Sequence, residues 1–63
     1  MRTQYIKILN DGYTTRSYDY PSFADDDLVR QGKAVTLKVI DELVYKLIPI
    51  DAEKLVWQIV TKL

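Results

Sequence analysis

The triplet Asn10-Asp11-Gly12 interrupts a run of strand-forming residues, and it constrains the fold more than any other feature of the chain. The segments TQYIKIL before it and YTTRSYDY after it are rich in tyrosine, isoleucine and threonine, which favour strands. Asparagine, aspartate and glycine tolerate the positive φ angles that a tight reversal requires. The sequence therefore predicts a β-hairpin over residues 3–20.

The register of this hairpin depends on how many residues form its turn. A two-residue turn at Asp11-Gly12 would place Lys7 opposite Arg16 and Tyr5 opposite Tyr18. A loop made of the whole triplet would shift the pairing by one position and rearrange both faces of the hairpin. Both registers are open at the level of sequence.

The segment SFADDDLVRQG predicts a short helix with signals at both ends. Ser22 and Asp25 fit the S-x-x-D capping pattern, and Gly32 suits the C-terminal cap. Asp26 and Asp27 fall in the first turns, where carboxylates favourably meet the positive end of the helix dipole. Helix capping is therefore one interpretation of the aspartates, and recognition of a cation or a basic partner is the other.

The C-terminal half is mostly apolar, and its periodicity favours two further helices. At about 100° per residue, the apolar side chains of residues 36–48, apart from Tyr45, lie within one half-circle. Asp51 is suited to the N-cap of a helix from Ala52 to Leu63. We therefore predict an α+β fold in which an N-terminal β-hairpin and a short capped helix precede two amphipathic helices. The alternative is a second hairpin over residues 35–48, turning at Asp41-Glu42, with a single C-terminal helix.

The chain has 63 residues and contains neither cysteine nor histidine. This composition excludes disulfides and metal ligands of the thiolate or imidazole type. It also excludes histidine, the ordinary general base near neutral pH. We expect one small domain with no catalytic residues, no metal and no cofactor. Below roughly 70–80 residues a single core rarely supplies more than ~3–5 kcal/mol, so we also expect self-association, in a homodimer joined through the C-terminal segments.

Nine basic and nine acidic side chains cancel, so the chain lacks the field that attracts nucleic acid non-specifically. No apolar stretch approaches the ~18 residues that a membrane-spanning helix needs. The sequence therefore favours a cytoplasmic protein that does not engage a membrane.

Aromatic and acidic side chains cluster around the start of the predicted helix, as in surfaces that bind proteins. The candidate contact residues are Asp19, Tyr20, Phe23, Asp26 and Asp27. A hairpin with YDY followed by a short acidic helix resembles the small phage inhibitors of uracil-DNA glycosylase. The resemblance covers about half of the chain, requires gaps, and lacks that family's aromatic residue between Asp25 and Gln31. It implies an inhibitor that presents acids as a nucleic-acid mimic.

We therefore predict a small non-enzymatic protein-interaction module, homodimeric, that adapts or inhibits a partner protein. The alternative is a nucleic-acid-binding protein that uses the hairpin as a β-ribbon. In that case Tyr5, Lys7, Arg16 and Tyr18 would share one face, with rings for stacking set between charges.

Overall fold

A computed structural model describes residues 2–63 of the chain, apart from the side chain of Phe23. Within that range there are five strands and one helix: β1 (Thr3–Leu9), β2 (Thr14–Ser17), α1 (Phe23–Arg30), β3 (Ala34–Ile40), β4 (Leu43–Pro49) and β5 (Leu55–Lys62). The strands form one antiparallel sheet in the order β2-β1-β3-β4-β5. The helix packs on one face of this sheet, against β3 and β4.

The predicted N-terminal hairpin is present, and its loop contains the whole triplet Asn10-Asp11-Gly12. The Gly12 amide donates to the Leu9 carbonyl, and the Leu9 amide donates to the Tyr13 carbonyl, both at 2.9 Å. Gly12 has φ 90°, which is the conformation that glycine adopts at low cost. Lys7 consequently pairs with Thr15, so the register is the one set by the longer loop.

The short helix is also present, with the predicted signals at both ends. The Asp25 carboxylate accepts hydrogen bonds from the Ser22 amide at 2.9 Å and the Ser22 hydroxyl at 3.1 Å. At the other end, Gly32 has φ 74° and its amide donates to the Val29 carbonyl at 3.1 Å. These bonds satisfy backbone groups that the ends of a helix leave unpaired.

The prediction of two amphipathic helices after residue 35 is wrong, because this part of the chain forms β3, β4 and β5. The second hairpin kept as the alternative does occur, and it turns at Asp41-Glu42 between the paired residues Ile40 and Leu43. This turn contains no glycine, and Asp41 takes the positive φ itself, at 55°. β3 and β4 are interior strands with apolar residues on both faces, which hides the alternation that marks a strand.

The predicted C-terminal helix, part of both versions of the fold, is replaced by a turn and the edge strand β5. Asp51 does act as a cap, since its Oδ1 accepts from the Glu53 and Lys54 amides at 2.8 and 2.9 Å. The same geometry closes a turn that need not continue as a helix. Half of the eight residues of β5 are β-branched, which favours the extended conformation.

The core lies between α1 and the sheet and is small. Val29, Ala34 and Leu47 are buried there, and the side chains packed against them are Leu9, Leu28, Leu55 and Trp57. Thr36 is only 1% exposed, and its hydroxyl has no hydrogen-bond partner among the described residues. The eight residues of α1 are too few to span a bilayer, and residues 2–63 contain no other helix.

Candidate functional site

The helix divides the sheet into a covered face and an uncovered one. Cross-strand partners share a face, so the buried Leu47 marks the helix side and its neighbour Lys46 points to the other side. Ile6 and Leu37 lie in the same cross-strand row as Lys46. We call the side opposite the helix the open face, and its residues are Gln4, Ile6, Ile8, Thr14, Arg16, Val35, Leu37, Val39, Val44, Lys46, Ile48, Val56, Gln58 and Thr61.

The candidate contact residues predicted from the sequence do not form one exposed surface. Asp26 is only 8% exposed. Asp27 is exposed and pairs with Arg30 of the next helical turn, at 2.6 Å. Asp19 is also exposed, and its carbonyl accepts from the Ser17 hydroxyl at 2.7 Å. Asp19 and Asp27 are therefore available to a partner, whereas Asp26 belongs to the interior.

Tyr20 is half-exposed, and it is a hydrogen-bond partner of the buried Asp26. The Tyr20 hydroxyl donates to Asp26 Oδ1 at 2.7 Å. Burial of the phenol, together with the hydrogen bond to this carboxylate and its charge, raises the pKa of Tyr20 to about 12. The neutral phenol is therefore part of the folded arrangement. The remaining candidate, Phe23, has a side chain outside the described part of the chain.

Tyr20 belongs to an aromatic cluster on the helix side of the sheet. Its ring meets the rings of Tyr5 and Trp57 nearly edge-on, with centroids 5.3 and 6.3 Å away. The Lys38 Nζ lies 4.5 Å from the Trp57 ring centroid and 5.0 Å from that of Tyr45. Edge-on aromatic pairs and cations over ring faces are both attractive, so the cluster extends the small core beyond the helix.

A cleft of about 140 Å³ lies beside this cluster. Its lining comes from β1, β2, the segment before α1 and the start of α1: Tyr5, Lys7, Thr15, Ser17, Asp19, Tyr20, Pro21 and Asp25. Binding pockets for small molecules usually span about 300–1,000 Å³. This cleft is smaller, so it has room for a few water molecules but not for a typical metabolite. The Lys7 ammonium and the Asp25 carboxylate in it neutralise each other at 2.8 Å. That bond is the main cause that lowers the pKa of Asp25, although burial opposes it.

The acidic side chains and serine hydroxyls make contacts within the fold. Across residues 2–63, no group of three or more carboxylates is placed to hold a metal ion. The Ser17 hydroxyl donates to the Asp19 carbonyl, and the Ser22 hydroxyl donates to the Asp25 carboxylate, which is also paired with Lys7.

The β-ribbon considered for nucleic acid does not assemble on one face. Tyr5 and Lys7 line the cleft on the helix side. Arg16 pairs with Ile6 and therefore lies on the open face. The longer hairpin loop causes this separation, because a shift of one residue moves a side chain to the opposite face.

Charge is segregated between the sheet and its connections. The five strands carry Lys7, Arg16, Lys38, Lys46 and Lys62 but no aspartate or glutamate, so all carboxylate side chains of the chain lie in the helix and loops. Asp25 pairs with Lys7, and Glu42 approaches Lys62 at 4.0 Å. For Arg16 and Lys46, the described residues provide no carboxylate within 4.0 Å.

The two edges of the sheet differ in length and polarity. β2 has four polar residues, TTRS, whereas β5 has eight residues, LVWQIVTK. On and just after β5, Ile59, Val60 and Leu63 are 56%, 49% and 75% exposed. A shift in the pairing between Val44 and Tyr45 leaves Val60 unmatched, which is a β-bulge in β5. A long apolar edge of this kind is a template for pairing with another strand.

Comparison of the chain with protein-family models, with curated proteins and with solved structures found no match. Sequence reasoning missed both the open face and the apolar edge, because it assigned residues 36–63 to helices. A usable signal was present, since the β-branched residues and the absence of acids from 34–40, 43–49 and 55–62 are both typical of strands.

Proposed function

We propose that this protein is a small non-enzymatic protein-interaction module that works as a homodimer and adapts or inhibits a partner protein. The observation that supports the dimer is the exposed apolar edge formed by β5. Antiparallel pairing of two copies of β5 would join two five-stranded sheets into one continuous sheet. A small core gains stability from such pairing, since a second subunit buries apolar area that one copy leaves exposed.

Edge polarity favours β5 over β2 as the dimer contact. Natural sheets protect their edges with short strands, charges and bulges. β2 has four residues and carries Arg16, so it is protected in two of these ways. In β5 both protecting features, the bulge at Val60 and the charge of Lys62, lie at the C-terminal end of the strand. The regular segment Leu55–Ile59 before the bulge remains suitable for pairing.

The proposed dimer contact still lies in the C-terminal segments, but it is the edge of a strand instead of the apolar side of a helix. Leu47 is 4% exposed and packs beneath α1, so it does not lie at the proposed contact. A charge at Leu47 would therefore unfold the monomer and report nothing about association. Ile59 is 56% exposed, so its substitution tests association with little effect on the core.

Sedimentation equilibrium of the wild type, Ile59→Asp and Ile50→Asp tests the dimer. Ile50 is a matched control, because it has the same side chain and is 58% exposed but lies outside the strands. We expect dimers for the wild type and for Ile50→Asp, and a folded monomer for Ile59→Asp, with circular dichroism verifying the fold. A monomeric wild type at high concentration, or equal weakening by both substitutions, would contradict the proposal.

A further inference from the structure

We propose that the open face binds an acidic amphipathic helix of a partner protein. This inference rests on the proposed role as an interaction module, but it uses a different surface from the β5 edge. Three observations carry it: an uncovered aliphatic layer, two cations without carboxylate partners, and a helix of the same kind already packed on the opposite side of the sheet.

The aliphatic layer is extensive for a chain with so small a core. Its members are Ile6, Ile8, Val35, Leu37, Val39, Val44, Ile48 and Val56, and all of them are half-buried except Val44, which is 7% exposed. The one helix of the described residues does not cover them, since α1 contacts β3 and β4 from the other side. Contiguous apolar surfaces of this kind usually mark interaction sites.

The charges on the open face specify a partner that carries acids. Arg16, Ile6, Leu37 and Lys46 follow one another across four neighbouring strands. With strands about 4.8 Å apart, the two cationic residues are roughly 14 Å apart, one on each side of the aliphatic centre. A helix has 3.6 residues per turn and rises about 1.5 Å per residue, so carboxylates about eleven residues apart lie on the same side of it, roughly 16 Å apart, and would meet both cations.

A second copy of this chain is a poor occupant of the open face. Two open faces stacked on each other would enclose Arg16 and Lys46 from both copies in one apolar layer. The face itself supplies no carboxylate to compensate these four charges. Desolvating unpaired charges is costly, so electrostatics favour an acidic partner over self-stacking.

Single-stranded nucleic acid is also a poor occupant, although it is anionic. Such strands bind where bases stack on aromatic rings between the charges. The rings of Tyr5, Tyr20 and Trp57 cluster on the helix side of the sheet, and the layer between Arg16 and Lys46 is aliphatic. Aliphatic side chains match the apolar stripe of a helix better than they match bases.

The molecule already contains one contact of the proposed kind. α1 packs Leu28 and Val29 onto the helix side of the sheet. At the same time, its Asp25 pairs with Lys7 of β1 at 2.8 Å. An apolar stripe bordered by acids therefore fits this cationic sheet on one side. The open face presents the same combination of aliphatic surface and lysine or arginine on the other.

The test is a titration with two blocked amphipathic peptides, followed by methyl NMR. Both peptides have a leucine stripe; one is bordered by glutamates and the other by lysines at the same positions. We expect the glutamate peptide to shift the methyl signals of Ile6, Leu37 and Ile48 saturably, and to leave the buried Leu47 signals nearly unchanged. The lysine peptide should bind about tenfold more weakly.

Charge reversal then tests the cations. The double variant Arg16→Glu, Lys46→Glu should bind the glutamate peptide about tenfold more weakly and prefer the lysine peptide. Lys33→Glu, at an exposed site beyond α1, is the matched control and should bind as the wild type does. Absence of saturable binding, shifts centred on the helix side, or equal binding of both peptides would overturn the inference. Tighter binding of an oligothymidine at the open face would do the same.

Repeating the titration on Ile59→Asp separates this inference from the dimer proposal. If that variant is monomeric and binds the glutamate peptide, both proposals are supported. If the wild type is itself monomeric and still binds the peptide, the dimer fails and the open-face site stands. If the wild type is a dimer that does not bind, the dimer stands and the open-face site fails.

Discussion

The Lys7 ammonium lies 2.8 Å from Asp25 Oδ1 and joins the centre of β1 to the first turn of α1. The two side chains are 23% and 14% exposed, so solvent screens this pair less than an ordinary surface ion pair. Asp25 also accepts hydrogen bonds from Ser22, so one carboxylate caps the helix and anchors it to the sheet. Asp25 therefore helps to fix the orientation of α1, together with the apolar packing of Leu28 and Val29.

Acid should weaken the fold through Asp25. Its pKa is lowered in the folded protein, first by Lys7, so its contribution is present above the ordinary value of 3.8. The contribution is lost as the pH falls through the lower folded pKa. We expect Lys7→Met to cost about 1 kcal/mol at pH 7 and to flatten this acid dependence. Urea unfolding between pH 7 and pH 2 measures both effects, with the exposed Lys33→Met as control. An acid limb unchanged in Lys7→Met would contradict the assignment.

Tyr20→Phe should destabilise the protein and change its alkaline behaviour. The substitution removes the donor to the buried Asp26, which should cost about 1–2 kcal/mol at neutral pH. The folded pKa of Tyr20, about 12, exceeds the ordinary value of 10.0. Its stabilisation is therefore complete below pH 10.0 and disappears as the pH rises towards 12. Denaturant titrations at pH 8 and pH 11 should show a smaller alkaline loss in Tyr20→Phe. Tyr13→Phe, at a position 62% exposed, is the control and should behave as the wild type at neutral pH.

Thr36→Val should stabilise the protein. The Thr36 hydroxyl is buried without a hydrogen-bond partner among the described residues, and valine replaces it with a methyl group of similar size. Removing an unsatisfied buried hydroxyl should raise the free energy of unfolding by about 1 kcal/mol. Thermal unfolding of Thr36→Val and of the exposed Thr61→Val measures this, and the second should change little. A destabilised Thr36→Val would show that the hydroxyl has a partner in solution.

Asp26 and Asp27 should respond differently to alanine. Asp26→Ala leaves the Tyr20 hydroxyl without its acceptor, so we expect a loss of about 1–2 kcal/mol. Asp27→Ala removes only an exposed pair within the helix, worth about 0.3–0.5 kcal/mol. Chemical denaturation of the two variants measures the loss of unfolding free energy in each. An equal loss of unfolding free energy in both variants would contradict the interior position of Asp26. Asp26 would then again be a candidate contact residue.

Local signals with few alternatives predicted the N-terminal half of the fold. The triplet Asn10-Asp11-Gly12, the capping pair Ser22 and Asp25, and the terminal Gly32 each act over three or four residues. Each of these signals corresponds to a structural feature at the same position. Such signals are reliable because the hydrogen bonds they form do not depend on the rest of the molecule.

The C-terminal half could not be predicted in the same way, because its conformation depends on its neighbours in the sheet. β3 and β4 each pair with a strand on both sides, and they carry apolar residues on both faces of the sheet. In the sequence, such residues give the same spacing as the apolar side of an amphipathic helix. The prediction that the candidate contact residues form one exposed surface is wrong for Asp26, for a related reason. Nothing in the local sequence indicates that Asp26 is buried or that it accepts a hydrogen bond from Tyr20. The open face and the edge of β5 exist only once the strand order is known.

The strand order also has a consequence for the kinetics of folding. Three of the four pairings join consecutive strands, whereas β1 and β3 are separated by β2 and α1. Even the nearest partners across this pairing, Leu9 and Ala34, lie far apart in sequence. Closing such a loop costs chain entropy before the contacts form, so this step should limit the folding rate. Substitutions between β1 and β3 should then mainly slow folding, and those in β5 should mainly accelerate unfolding.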